Sequence, residues 1–391
     1  MAVFPVKYIH SDMRGAPVLS GTPGAMIGVL DAFLITGFGT VTAQRVSVAG
    51  GVATATLQSG QSFEVGSVVL IAGATPDALN GEARVLTATP SQITFATTAA
   101  DGPASGTITI KVAPVGSWEK VFAGTNKAVY RSTDPQGGRF YYRIDDTGTT
   151  TCRLRGFESM TDVDNGLMPF PTDVQVNGGL YLAKSQSAGS ARRYYNLFAD
   201  SRFVAIAASG VNTPTSGRYS TPLRGFGDLV ALSPAGDVWS ACVSGSMLAS
   251  IASGANHDYG SFSGPRANDG AFVARSFAGA GGSQGCNFAT YAGSSQDSGI
   301  DTTLGRAPSA VDGQIKLSRR YVRVDAQDYT PRADIPGLLH VPQAGAGALF
   351  EARDTMTGYG PLAGRTLVAM RAGPTLDGAG VYFVDVTGPW R

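Results

Sequence analysis

Val41-Thr42-Ala43-Gln44-Arg45-Val46-Ser47-Val48-Ala49-Gly50-Gly51-Val52-Ala53-Thr54-Ala55-Thr56-Leu57 decides the fold. Val41–Val48 and Val52–Leu57 are alternating, β-branched runs, and the intervening Ala49-Gly50-Gly51 has the length and left-handed freedom of a hairpin loop. Four more such runs follow: Val68–Ile71, Ala83–Ala88, Ile93–Thr97 and Thr107–Val112. They are separated by Gly73-Ala74-Thr75-Pro76-Asp77, Pro90-Ser91 and Asp101-Gly102-Pro103, all turn-forming segments. Residues 41–115 carry only seven charged side chains. Six short strands at this spacing predict a small antiparallel β-sandwich or barrel module.

Toward the C-terminus the strand signal continues and predicts a larger antiparallel β-rich body over residues 116–391, with a subdivision near 210–222. Ala128–Ser132, Arg139–Ile144 and Thr150–Phe157 read as a meander, in which Phe140, Tyr142 and Ile144 face a core and Arg139, Tyr141 and Arg143 face solvent or a partner. Tyr181–Ala183, Tyr194–Ala199 and Phe203–Ala208 follow. Leu229–Leu232 and Val238–Val243 flank Ser233-Pro234-Ala235-Gly236 and read as a further hairpin. Strands recur at Tyr321–Val324, Thr366–Met370 and Val381–Val386. Loop-rich stretches at 253–270 and 279–299 mark contact surfaces. Trp390 is costly to leave in water and should dock on this chain or on a neighbour.

Toward the N-terminus, residues 1–40 read as an arm with one short helix. Thr22 is the expected N-cap, Pro23 the first helical residue and Gly37 the closing one, with Met26, Val29, Leu30, Phe33 and Leu34 as the apolar face. The apolar run Ala25–Ile35 contains Asp31 and falls well short of the ~20 residues of a membrane span.

Composition narrows the chemistry. The 391 residues include 52 Gly and 21 Pro and are 15% charged, which excludes a coiled coil. Thirty Lys and Arg against 29 Asp and Glu leave a net charge of +1, with no basic excess to coat a nucleic acid. The isolated pairs Arg192–Arg193 and Arg319–Arg320 read as surface or cross-strand residues. Cys152, Cys242 and Cys286 lack C-x-x-C spacing and read as buried thiols of a chain assembled in a reducing cytoplasm. His10, His257 and His340 share no metal-ligand spacing.

Three motifs invite chemistry. Gly281-Gly282-Ser283-Gln284-Gly285 matches a nucleophile elbow, with Asp297, Asp312 or Asp325 and then His340 in hydrolase order. Hairpins throughout contradict the parallel βα frame that such an elbow needs, so a surface loop is expected. Asp162-Val163-Asp164-Asn165-Gly166 resembles the start of a calcium loop, but its glycine is one place early and Asp173 stands at the twelfth position, so a polar turn is expected. Asp145–Asp146, Glu351 and Asp354 are the carboxylates available for glycan hydrolysis; Asp145–Asp146 before Thr147-Gly148 reads as a turn after a strand. No catalytic residue, cofactor or metal is expected.

Several segments carry a resemblance. They are His10 through Gly21, Val29-Leu30-Asp31-Ala32-Phe33, Lys127 through Ser132, Gly156 through Asp164, and the closing Thr387-Gly388-Pro389-Trp390-Arg391. These resemble an uncharacterised family of virion structural proteins of tailed bacteriophages. The resemblance implies a non-enzymatic particle component, a tail or baseplate subunit assembled in the host cytoplasm, whose partners are copies of itself and other virion proteins. Alternatives within that setting are a head decoration or minor capsid protein and a receptor-binding fibre or spike. For a receptor or partner contact the best residues are His257, Asp258, Tyr259, Phe262 and Trp390.

Overall fold

Gly50 and Gly51 form the two-residue turn of the first hairpin. Ala49 pairs with Val52 across it, and both glycines take positive φ, 58° and 77°, as the tight turn demands. In the computed structural model, which describes residues 4–58, 60, 61, 63–208, 210, 211, 222–252, 261, 262, 270–291, 304–324, 331–372 and 380–391, the chain is mainly β. It forms three antiparallel sheets and, apart from short 3₁₀ turns, a single 12-residue helix.

The first sheet is a curled half-barrel of eight strands running from Phe38 to Val112. Its strands are two more than the alternation predicts, for a geometric reason. The predicted strand Val41–Val48 is two strands, Phe38–Thr42 and Arg45–Ala49, because the chain changes partner at a corner. Ala43 N–H donates to Ile108 O and the next amide, Gln44 N–H, donates to Thr56 O. Gly102–Pro103 adds a short edge. Alternate side chains fill the concave face: Val46, Val48, Ala53, Ala55, Ile93 and Phe95 are all buried.

A six-stranded sheet follows. Its meander, Trp118–Gly124, Lys127–Ser132, Tyr141–Asp145, Thr151–Met160 and Gly166–Phe170, pairs in chain order, and Leu180–Ala183 also pairs with Thr151–Met160. Phe140, Tyr142 and Ile144 point into the core as expected. The third sheet has 13 strands and recruits the N-terminal arm: Lys7–His10 pairs with Tyr195–Ala199. Both faces of its first strands are covered. Leu197, Val204 and Ile206 belong to a core shared with the helix and the other two sheets, while Phe198, Phe203 and Ala205 belong to a second core on the opposite face. That double burial explains the unbroken apolar run Phe203–Ala208.

Two local expectations are corrected. The segments at 229–232 and 238–243 do not pair with each other. Val230–Ala231 pairs with Ala333–His340, and Ala241–Ser244 is an inner strand between Leu223–Asp228 and Ala271–Val273. The turn between them is pinned elsewhere by the buried Asp237–Arg332 ion pair at 2.8 Å. The helix starts at Ala25, not Pro23, and Thr22 does not cap it; Gly24, in the left-handed region, precedes it without a side-chain cap. Its apolar face and its end at Gly37 are as read, with the last turn, Ala32–Thr36, widened to π form. No helix among the described residues is long and apolar enough to cross a membrane.

Candidate functional site

Of the five residues read as a partner or receptor contact, His257, Asp258 and Tyr259 lie outside the described residues. Phe262 is fully buried, with its ring 5.6 Å from Phe203 and 4.8 Å from Phe288, so it is a core residue and offers no surface. Trp390 docks on its own chain. Its indole N–H donates to Asp385 O at 2.8 Å, and the ring lies over Gly337, where a Cβ would stand 2.3 Å from it. Arg391 clamps the end of the chain, with Nε 3.0 Å from one Asp200 oxygen and Nη2 3.2 Å from the other.

The hydrolase residues do not meet. Ser283 lies beyond the Val324 end of strand Ser318–Val324, whereas His340 faces Ser318 at the other end. Six residues of extended chain put them roughly 20 Å or more apart. His340 is buried. Its Nδ1–H donates to Ser318 O at 3.1 Å, leaving a bare Nε2, and burial with the nearby Arg320 charge lowers its pKa to about 4. Asp312 is exposed and paired with Lys316 at 2.5 Å, while Asp297 and Asp325 lie outside the described residues.

In the calcium-like turn, Asp162 Oδ1 accepts the Asp164 and Asn165 N–H groups at 2.8 and 2.9 Å, and Asp164 is held by Lys127 and Arg143, each at 2.7 Å. Asp173 turns to Arg155 at 2.9 Å. These oxygens close a turn. Glu351 and Asp354 likewise share one turn, Asp354 Oδ2 accepting the Glu351 N–H at 2.7 Å. Arg193 and Arg320, read from sequence as surface or cross-strand residues, are both buried; Arg320 sits opposite Thr290 on the neighbouring strand.

Two arrangements escape the sequence reading. The first is a cavity of about 530 Å³ between the half-barrel and the large sheet. His10 sits on its wall between Glu64 of the half-barrel, at 2.9 Å from Nε2, and Arg353 of the C-terminal segment, at 2.7 Å from Nδ1. Because the guanidinium can only donate, Nδ1 accepts and Nε2–H donates to Glu64, which fixes one neutral tautomer. Arg353 also binds Asp12. Burial by itself would raise the Glu64 carboxyl, but the His10 hydrogen bond and the neighbouring positive charge outweigh it and hold the group below the ordinary range. Both ring nitrogens of His10 are engaged, so the cluster acts as a lock joining three distant segments. Lys7 makes a parallel tie, donating to Glu82 and to Pro114 O at 2.6 Å.

The second is the pair Asp146–Lys184, both at 0% exposure. Asp146 Oδ2 accepts the Met26 and Ile27 N–H groups at 2.7 and 3.3 Å and so supplies, from 120 residues away, the cap that Thr22 does not. A signal for it exists in the sequence. Tyr142, Ile144 and Asp146 form one inward row at period two, and Leu180, Leu182 and Lys184 form another.

On the outside, the edge of the six-stranded sheet is apolar. Leu167 (69% exposed) and Met168 (41%) lie on strand Gly166–Phe170, with Val174 (98%) in the following turn and Phe277 (57%) in the loop alongside. Strand and loop touch: Gln175 Nε2 donates to Ser283 O at 2.9 Å, and a Cβ on Gly282 would lie 3.7 Å from the Met168 methyl. No protein-family model matches the chain, and no curated protein matches it in sequence.

Proposed function

We propose that the protein is a non-enzymatic structural component of a tailed-phage virion, a tail or baseplate subunit that works by association with copies of itself and with other virion proteins. The observation that carries this reading is the exposed apolar edge of Leu167, Met168 and Val174, with Phe277 in the loop that touches it. Solvent-facing apolar side chains grouped on a sheet edge mark a contact surface, since an edge strand is a template for pairing. The internal locks favour the same reading, because His10, Glu64, Asp146 and Lys184, side chains of acid–base type, hold segments together. The sequence resemblance supplies the setting. Phe262 in the core and Trp390 on its own chain give no support to a receptor-contact role for those two residues.

The test is a Leu167→Glu, Met168→Glu double variant expressed in place of the native chain during particle assembly. The isolated variant should stay folded, and its incorporation into particles should fall by at least about tenfold, the equivalent of one lost interface anchor. Normal incorporation would remove this edge from the assembly.

A further inference from the structure

We propose that Lys184 and Asp146 become covalently joined, the Lys184 amine condensing with the Asp146 side-chain carboxyl to form an intramolecular amide cross-link within the core. The geometry holds the parts of such a reaction. Lys184 Nζ lies against Asp146 Oδ1 and donates to Thr22 O at 2.8 Å. Asp146 Oδ2 rests on two backbone N–H groups, those of Met26 and Ile27, placed as donors to an oxygen that gains negative charge. Both side chains are sealed from water. Burial raises the Asp146 carboxyl above its ordinary pKa, and the hydrogen bonds from Lys184, Ile27 and Met26 do not cancel that effect. The reacting form is the neutral amine with the carboxylic acid, related to the ion pair by moving one proton from Nζ to Oδ1.

The atoms balance without a co-reactant. The amine nitrogen attacks Cγ, the Nζ–Cγ bond forms and the oxyanion develops on Oδ2. The Cγ–Oδ1 bond then breaks, and Oδ1 leaves as water carrying the carboxyl proton and one proton from the nitrogen.

The surroundings fit the product better than the ion pair. An ammonium has three N–H donors, and only two acceptors, Asp146 Oδ1 and Thr22 O, are found for them among the described residues. An amide has one N–H, matched by Thr22 O, and one carbonyl oxygen, matched by the Met26 and Ile27 N–H groups. It also removes two buried charges whose desolvation an ion pair recovers only in part. This inference stands independently of the assembly reading.

The experiment is mass spectrometry of the purified, denatured wild-type chain. Its intact mass should be lower than the sequence mass by one water molecule. Trypsin should release a branched species joining Ile144–Arg153 to Gly156–Arg192, because an acylated Lys184 is not cleaved. The Lys184→Arg variant should return the full mass. A wild-type chain of full sequence mass, with Ile144–Arg153 and Gly156–Lys184 released as separate linear peptides, overturns the proposal whether or not any variant folds.

Discussion

The half-barrel and the sheets that follow it solve the same packing problem differently. Between residues 41 and 115 no polar or charged side chain is buried among the described residues; the interior is Val, Ile, Ala, Leu and Phe. The rest of the chain buries Asp146, Lys184, Arg224, Asp334, His340 and Asp385, among others. An apolar interior is specified by local alternation and tolerates change of detail, whereas a buried charge is stable only with its one partner in place. The half-barrel is therefore set by pattern, and the body by a few long-range pairs. The two are joined by polar ties, Lys7–Glu82 and His10–Glu64.

The sharpest way to break this contrast is Asp146→Ala. It strands the buried Lys184 ammonium, for about 3–5 kcal/mol, and removes the helix cap, for a further ~1 kcal/mol. Chemical denaturation should show the whole body destabilised. Phe95→Ala, a cavity at 1% exposure in the half-barrel, should cost about 3–4 kcal/mol in the same measurement, and the variant should keep the wild-type response to acid because the substitution neither adds nor removes an ionisable group.

The smallest effect belongs to His340. Its folded pKa of about 4 lies below the unfolded value of 6.5, so the unfolded chain binds the proton first. Stability from this group is complete above pH 6.5 and is lost as pH falls toward 4, up to about 3 kcal/mol. Urea midpoints at pH 7.5 and 4.5 should differ less for His340→Gln than for wild type; equal differences would mean that His340 is not held neutral.

What could be read in advance follows the same divide. Alternation gave the strands of the half-barrel and the inward row Phe140, Tyr142, Ile144, because a single local period determines which side chains are buried. The corner at Ala43–Gln44 was not legible, since it depends on which strands lie beside the chain on either side of it. The missed hairpin at 229–243 fails for the same reason: short strands take partners from distant sequence. The helix cap lies not on Thr22, next to the helix, but on Asp146, and its one sequence signal is the place of Asp146 in an inward row. The His10–Glu64–Arg353 lock joins residues with no local signature at all.

A cryo-EM map of purified particles, with this chain traced in it, tests the assembly role most directly. The prediction is a chain in the tail or baseplate with Leu167, Met168, Val174 and Phe277 covered by a neighbouring subunit. Particles that lack the chain, or that carry it with this edge facing solvent, would contradict it.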